Sequence, residues 1–380
     1  MSLQKRLGLL TSGGDCPGLN AVIRAVINHA TLTYDWEVVG IPYATEGLME
    51  QKSIPLTVHG LDTRGIDPLL NMGGTVLGTI NRGDTLDHAD AIIAGYHALK
   101  LDTLVAIGGD GSLSILNTLA KQGNWKLIGI PKTIDNDVAF TERAVGFDTA
   151  VNTIMDALDR LIFTAASHDR IMIVEVMGRS AGHLALHAGI AGGADIILIP
   201  EIPYSIEGIC NHIQTLRNRW GRKFAIVIVA EGILPINQFS TCNLHESGHK
   251  PLCGMGQYIA DQINQHQAVQ NDGYRPEVRV SVLGHIQRGG VPLAFDRVMA
   301  AAFGKTAVDL AVRGESSRMV AWQNGRAVSL SLDEVLKESP CPLSPDDDLI
   351  QTARSIGIYI GENSNLNSLN PDFSLSALNR

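Results

Sequence analysis

Short apolar runs that end abruptly in glycine or polar residues recur along most of this chain. They predict buried strands over residues 6–11, 37–41, 102–107, 125–128, 170–177, 194–200, 224–230 and 279–283. Helical patterns lie between many of these runs and start near Leu19, Leu86, Leu113, Phe147 and Ala181. Strands that alternate with helices are typical of parallel sheets covered by helices. We therefore expect an α/β fold.

The richest polar chemistry follows the run that ends at Ile128. Residues 129–137 read G-I-P-K-T-I-D-N-D and place Lys132, Thr133, Asp135 and Asp137 within six positions. Carboxylates at i and i+2 of a turning loop can face one site, where one accepts a proton while a cation holds an anionic substrate. The alternative is a turn that is rich in Asp and Asn because these residues favour turns.

Glycine-rich turns follow two other predicted strands. One reads S-G-G-D-C-P-G over 12–18 and contains Gly13, and the other reads G-G-D-G-S over 108–112. A strand, a glycine-rich turn and a helix N-terminus together hold phosphate, and Asp110 in the second turn could hold Mg²⁺ against those phosphates. A third glycine-rich segment occupies 73–83. Neither the P-loop nor the dinucleotide fingerprint is matched, and ordinary tight turns are the alternative.

Strand ends in the second half of the chain also deliver polar groups. Arg179 follows Met177 and Gly178, Glu231 follows the run 224–230, and His285 and Arg288 follow the run 279–283. Together these groups could grip a sugar phosphate. Taken one at a time, such residues are more often solvated or structural.

Length, composition and charge narrow the class of protein. A chain of 380 residues suits two domains, so we expect two doubly wound, Rossmann-like domains with the active site in the cleft between them. A formal charge of −9 argues against a nucleic-acid or membrane-surface binder. Five scattered cysteines without a C-x-x-C pair indicate reduced thiols. Without a signal-peptide pattern or an apolar run of about 18 residues, the chain is expected to be cytoplasmic.

Four motifs in order carry a resemblance to a known family. They are G-G-D-G-S at 108–112, P-K-T-I-D-N-D at 131–137, M-G-R at 177–179 and G-H-I-Q-R-G-G at 284–290. With T-S-G-G-D-C-P-G-L-N at 11–20, the chain resembles the 6-phosphofructokinases over about residues 5–325. A lone G-G-D-G also occurs in NAD kinases and lipid kinases, which are not expected to carry the second and fourth motifs.

The resemblance implies roles for most of the polar residues. Asp135 would be the general base toward the sugar 1-hydroxyl, supported by Thr133 and Asp137, and Asp110 would hold Mg²⁺. The phosphoryl donor would lie against Gly13, Gly109, Gly111 and Ser112, with Arg82 and Lys132 near its phosphates. Fructose 6-phosphate would be bound by Thr133, Asp135, Met177, Gly178, Arg179, Glu231, His285 and Arg288. Arg170 and Arg279 match arginines that reach the sugar phosphate from a neighbouring subunit.

Three departures from the best-known bacterial ATP-dependent pattern affect these expectations. Lys132 is typical of pyrophosphate-using members, whereas Gly111 leaves room for the α-phosphate of ATP; together they match an ATP-using branch. Asn81 stands where the family has arginine, so either Arg82 or Lys132 takes that charge role. Arg24 is followed by Asn28 instead of the second arginine of the effector site, which puts control by ADP or phosphoenolpyruvate in doubt.

The resemblance thus implies an ATP-dependent 6-phosphofructokinase with Mg²⁺, assembled as a homotetramer whose subunits share active sites. A pyrophosphate-dependent enzyme is the alternative, and a non-catalytic regulatory paralogue is a remote one. We expect a donor domain of residues 1–147 with about 287–338. A fructose 6-phosphate domain and subunit interface would comprise 148–286 with about 339–356. Residues 357–380, rich in Asn and Ser, would form a flexible or interface-bound tail.

Overall fold

A computed structural model of the chain describes residues 4–60, 67–80, 85–235, 254–269 and 275–362. In this part of the chain the strands are β1 (Arg6–Thr11), β2 (Glu37–Gly40), β3 (Ile54–Leu56), β4 (Thr103–Gly108), β5 (Leu127–Pro131), β6 (Ile171–Val176), β7 (Ile196–Leu198), β8 (Ala225–Ala230), β9 (Val278–Val282), β10 (Arg318–Gln323) and β11 (Arg326–Ser331). The helices are α1 (Leu19–Tyr34), α2 (Thr45–Met49), α3 (Ala89–Ala98), α4 (Asp110–Gly123), α5 (Phe147–Ser167), α6 (His183–Ala191), α7 (Ile206–Trp220), α8 (Met255–Val269), α9 (Ala294–Val312), α10 (Leu332–Glu338) and α11 (Asp348–Ser355).

The strands form two sheets, and the predicted α/β class is confirmed. The first sheet has the order β11-β10-β5-β4-β1-β2-β3, with only β3 and β11 antiparallel to their neighbours. The second has the order β7-β8-β6-β9 and is parallel throughout. Because parallel strands in one sheet point the same way, the loops that follow them collect at one edge of each sheet. The predicted division into domains stays a prediction.

Both faces of the first sheet are covered. Leu9 of β1 belongs to a buried cluster that continues through Phe147 to Val227 of the second sheet. Its neighbour Leu10 faces a different cluster, which includes Leu104 and Leu116. Successive side chains of a strand point to opposite faces, so a strand buried on both faces reads as one continuous apolar run. This explains why the apolar runs predicted most of the strands.

Several predicted boundaries differ from the structure. The helix expected from Leu86 begins with a 3-10 turn over Thr85–His88, and α4 starts three residues before the expected Leu113. Residues 236–253 and 270–274 lie outside the described residues.

The segment predicted to be a flexible or interface-bound tail begins with packed residues. Tyr359 forms a bridge with Ile196 of β7, and its hydroxyl contacts Glu362 at 3.2 Å. Ile358 and Ile360 are buried. The tail was expected from residue 357 because Asn and Ser dominate after it, but the short apolar alternation before them adds a strand-like segment to the second sheet. Residues 363–380 lie outside the described residues.

Two further findings concern sequence-based expectations. None of the described helices is both long and apolar enough to cross a membrane. Of the five cysteines, Cys16, Cys210 and Cys341 are free thiols, and Cys242 and Cys253 lie outside the described residues.

The packing of α1 against α9 includes a partly buried carboxylate whose loss should destabilise the fold. Asp309 accepts hydrogen bonds from His29, Tyr34 and Lys305 at 2.7–2.9 Å. Burial alone would raise its pKa, but these hydrogen bonds lower the pKa to about 2. We expect Asp309→Asn to reduce the free energy of unfolding by about 1–2 kcal/mol at pH 7, measured by urea denaturation.

The pH dependence of this loss has a definite sign. A carboxyl group with a depressed pKa stabilises the fold above its unfolded pKa, and this stabilisation fades as the pH falls toward 2. The difference between wild type and Asp309→Asn should therefore shrink as the pH falls from about 4 to about 2. A difference that stayed constant over this range would contradict the assigned role of the charge.

Candidate active site

The predicted carboxylate loop leaves the first sheet directly after β5. The Lys132 N–H donates to the Gly108 carbonyl at the end of β4, at 3.0 Å. The side chains that follow are nearly inaccessible, since Lys132, Asp135 and Asp137 are only 3–4% exposed. Burying three ionisable groups within six residues is costly without compensating partners. Such a concentration of buried ionisable groups is typical of a functional site.

Asn136 holds this loop in its unusual shape. It has a φ of 54°, in the left-handed region that Asn tolerates better than most residues. Its side chain donates to the Glu142 carbonyl at 3.1 Å and accepts from the Ala144 N–H at 2.9 Å. The Asp135 N–H donates to Thr133 Oγ1 at 3.0 Å. These bonds fix the directions of the two neighbouring carboxylates.

The first glycine-rich turn lies against Lys132 and the second glycine-rich turn. Lys132 Nζ donates to the Gly14 carbonyl. A methyl group at Gly13 would lie 2.9 Å from Ser112 Oγ and 3.5 Å from Lys132 Nζ. Three elements that are distant in the sequence thus meet at one point, as the phosphate hypothesis requires.

The third glycine-rich segment reaches the same turn. The Gly13 N–H donates to the Ile80 carbonyl at 3.1 Å, and Thr79 Oγ1 donates to the Gly13 carbonyl at 2.5 Å. Asn81 and Arg82 follow directly but lie outside the described residues. The predicted donor contact of Arg82 therefore stays a prediction.

Arg179 approaches the carboxylate loop from the second sheet. Its Nε lies 3.5 Å from Asp135 Oδ2. Its backbone has a φ of 51°, a conformation that costs about 1–2 kcal/mol for a residue with a Cβ. Its N–H donates to Glu231 Oε1 at 3.0 Å. A Cβ at Gly232 would lie only 1.8 Å from the Arg179 carbonyl oxygen, so this close approach requires glycine.

Arg288 joins the same site from the segment after β9. Its Nη1 donates to the Asp15 carbonyl at 3.2 Å, and a Cβ at Gly14 would collide with its guanidinium group. Gln287 beside it is fully buried. The Gln287 side chain accepts from the Met177 N–H at 3.2 Å and donates to the Gly284 carbonyl at 2.9 Å. Gln287 was not among the residues expected in the site, although it lies inside the G-H-I-Q-R-G-G motif.

Burial in the site shifts the pKa values of its ionisable side chains toward their neutral forms, and neighbouring charges oppose part of these shifts. Burial raises the pKa of Asp135, whereas Arg179, Arg288 and Lys132 oppose that rise. Burial, together with the carboxylates of Asp135 and Asp110, raises the pKa of Asp137 to about 7. Burial also lowers the pKa of Lys132. Asp135 Oδ1 is buried and accepts no hydrogen bond from the described residues, so its acceptor capacity is unused.

The second glycine-rich turn forms the N-terminus of α4. Gly109 precedes the helix and Asp110 is its first residue. A Cβ at Gly111 would meet no atom within 4 Å, so the space in front of the helix is open there. Free N–H groups at a helix N-terminus favour anions. The predicted donor contacts of Gly109, Gly111 and Ser112 therefore lie at a position suited to phosphate.

A magnesium ion fits this end of the site through one carboxylate. Among the described residues, no cluster of three or more His, Cys, Asp or Glu side chains could hold a metal by itself. Mg²⁺ is usually bound by one or two carboxylates and substrate phosphates, not by a protein cage. Asp110 is close enough to Asp137 to raise its pKa. A cation held by Asp110 would offset this repulsion.

Two predicted site residues lie elsewhere in this chain. Arg170 precedes β6 and Arg279 is the second residue of β9, whereas Arg179 and Arg288 follow the opposite ends of these strands. Both arginines pair with Glu277. His285 is exposed in the 3-10 turn Gly284–Arg288 after β9. Arg24, the remaining arginine of the predicted effector pattern, pairs with Asp67 at 2.6 Å.

Glycine-rich turns, a helix N-terminus, a buried lysine and paired carboxylates at strand ends are typical of an α/β protein that binds phosphorylated ligands. A family model described as "Phosphofructokinase" matches residues 6–311. The chain belongs to the phosphofructokinase family. The family predicted from the motifs is thus confirmed.

Individual relatives support the same assignment. "ATP-dependent 6-phosphofructokinase 2" from Nostoc is 66% identical over 95% of this chain and 99% of its own length. "ATP-dependent 6-phosphofructokinase" from Thermosynechococcus vestitus is 59% identical over 97% of this chain and 96% of its own length. The T-state structure of Pichia pastoris phosphofructokinase superimposes with a TM-score of 0.75 at 28% identity, covering 94% of this chain. The present chain spans only 37% of that much longer one.

Proposed function

We propose that this protein is an ATP-dependent 6-phosphofructokinase. It transfers the terminal phosphoryl group of ATP to the 1-hydroxyl of fructose 6-phosphate and yields fructose 1,6-bisphosphate and ADP. The observation that carries the proposal is the meeting of Asp135, Lys132 and Arg179 beside two glycine-rich turns. The names of relatives 59–66% identical over almost the whole chain support ATP as the donor.

Each side chain has a role that follows from its surroundings. The sugar 1-hydroxyl attacks the terminal phosphorus, the bond from that phosphorus to the β,γ-bridging oxygen breaks, and Asp135 accepts the hydroxyl proton. Lys132 and Arg179 lie beside Asp135 and neutralise charge on the phosphoryl group in transfer. Phosphoryl transfer depends mainly on such positioning and charge neutralisation. Asp110 would hold Mg²⁺, which neutralises charge on the donor phosphates when bound.

Acceptor binding is assigned to the second sheet. Arg179, Glu231, His285 and Arg288, with the backbone at Met177 and Gly178, would bind fructose 6-phosphate next to Asp135. Glu231 is 8% exposed, and burial raises its pKa. Its carboxylate already accepts the Arg179 N–H and could also accept a sugar hydroxyl. Thr133 would contact the reacting end of the sugar.

The distant arginines support an oligomer with shared sites. Arg170 and Arg279 present two guanidinium groups at the far edge of the second sheet, flanking Glu277. A neighbouring subunit could place such a pair beside the sugar phosphate, in line with the implied homotetramer. The proposal retains the donor domain, the fructose 6-phosphate domain and the cytoplasmic location as predicted from the sequence.

The deciding measurement is the rate of fructose 1,6-bisphosphate formation from fructose 6-phosphate and Mg²⁺, with ATP and pyrophosphate in parallel. We expect turnover with ATP, because Gly111 leaves room for its α-phosphate before α4. We expect none above background with pyrophosphate, in line with the names of the relatives. Turnover with pyrophosphate alone would mean that Lys132 determines donor choice and that the proposed donor is wrong. Sugar-phosphate binding without turnover would instead indicate a regulatory protein.

A further inference from the structure

A five-residue segment near the end of the described chain lies between the two loops that carry the site. We call Ser339–Leu343 the strap. On the side of the first sheet, the Cys341 N–H donates to the Asp137 carbonyl at 2.6 Å. The Ala139 N–H donates to Ser339 Oγ at 2.9 Å. The strap therefore holds the main chain of the carboxylate loop directly.

The other side of the strap holds the start of α6, close to Arg179. The contact between His183 Nε2 and the Cys341 carbonyl is 3.1 Å. Burial lowers the pKa of His183, which favours a neutral ring that donates from Nε2. The Leu343 N–H donates to Glu201 Oε1 at 3.0 Å. The same oxygen accepts the Gly182 N–H at 2.8 Å.

These contacts connect loops that belong to different sheets. Asp135 and Asp137 follow β5 of the first sheet, whereas Arg179 and Gly182 follow β6 of the second. The distance between Arg179 and Asp135 therefore depends on how the two sheets are held relative to each other. The strap contacts both loops through four hydrogen-bonded connections within five residues.

The strap is suited to fixing a distance. Pro340 and Pro342 flank Cys341, and each proline fixes its own φ and restricts the residue before it. Leu343 is only 5% exposed and anchors the far end by burial. The Glu201 carboxylate accepts hydrogen bonds from two N–H groups, and hydrogen bonds to a charged acceptor are stronger than neutral ones. Because the strap is stiff and anchored at both sides, a movement of one loop shifts the other loop as well.

We propose that the strap sets the separation between Asp135 and Arg179, and that Glu201 and Ser339 are positioning residues that fasten its two sides. The expected kinetic effects rest on the proposed function. Neither residue contacts the reacting groups. Each acts through the main chain of a loop that carries one of them.

The kinetics of Glu201→Ala test the contact of the strap with the loop that follows β6 of the second sheet. We expect kcat/KM for fructose 6-phosphate to fall by about 10- to 100-fold, as small misplacements of reacting groups cause, with KM for ATP unchanged within about twofold. Glu201→Gln should restore most of the activity because its amide oxygen can accept both N–H groups. Glu338→Ala, which removes an exposed carboxylate just before the strap, should behave as wild type. Equal losses toward both substrates would overturn the proposal.

Ser339→Ala tests the other side and covers the case that Glu201→Ala does not fold. It removes the acceptor of the Ala139 N–H and should also lower kcat/KM for fructose 6-phosphate. Combining Glu201→Ala with Arg179→Lys should give less than additive losses if Glu201 acts through Arg179. Additive losses would assign Glu201 a general structural role.

Hydrogen exchange provides a readout that does not depend on the reaction. Glu201 contacts the strap and α6, whereas Ala139 lies in the other loop. In Glu201→Ala, peptides covering residues 135–140 should exchange faster, as well as those covering 179–184. Unchanged exchange at 135–140 would show that the strap does not couple the loops. Absence of wild-type turnover would instead refute the proposed function and leave this test valid.

Discussion

Replacing Asp135 by asparagine is expected to lower kcat by about 10²–10⁴-fold, the usual contribution of a general base. Asparagine matches the shape of aspartate but cannot accept the proton of the sugar hydroxyl. Substrate KM values should change less than kcat, because Lys132, Arg179 and Arg288 remain in place. Initial rates with ATP and fructose 6-phosphate at saturating Mg²⁺ provide the measurement.

The stability of Asp135→Asn separates loss of chemistry from loss of fold. Asp135 is 3% exposed, and burial raises its pKa, so its charge is retained at a cost in folding free energy. The neutral variant should unfold at the same temperature as wild type or higher. Asp261→Asn, on the exposed face of α8, serves as the matched control and should retain full activity. An Asp135→Asn enzyme within tenfold of wild-type kcat would refute the assigned base.

The sequence predicted those parts of the fold that depend on local pattern. β1 was predicted with its observed bounds, because an apolar run that ends in S-G-G is punctuated clearly. α9 was not predicted, although it has 19 residues. Small and apolar residues make up much of its sequence, so it does not show a separate polar face. The hairpin of β10 and β11 was also missed. Its turn, Asn324-Gly325, with φ values of 51° and 75°, carries the strongest short hairpin signal and could have revealed it.

The site was predictable to the extent that strand order brings loops together. Parallel strands place the loops after β1, β4 and β5 at one edge, so Gly13, Ser112 and Lys132 meet as expected. Contacts between single residues of loops that strand order does not bring together cannot be predicted in this way. Gln287 and Glu201 acquire their roles through tertiary packing, because each has a partner far away in the sequence, at 110 and 142 residues respectively. A glutamate at position 201 looks solvated in the sequence.

Replacing Lys132 by methionine should have the second largest effect. Methionine has a similar length and shape and suits a buried position, but it removes the cation beside Gly13 and Asp135. Loss of one preorganised charge donor typically costs about 10²–10³-fold in kcat. The Gly14 carbonyl would also lose its hydrogen-bond donor. Lys337→Met, at an 82% exposed side chain on α10, is the matched control and should be silent.

The pH profile of this variant identifies the charge as the cause. Burial lowers the pKa of Lys132, and Arg288 lowers it further, whereas Asp135 opposes that shift. The charged form is therefore lost at a lower pH than for an exposed lysine, and wild-type kcat should decline on the alkaline side. Lys132→Met has no charge to lose, so its kcat should lack this decline. If Lys132→Met kept wild-type kcat, the charge role left open by Asn81 would belong to Arg82.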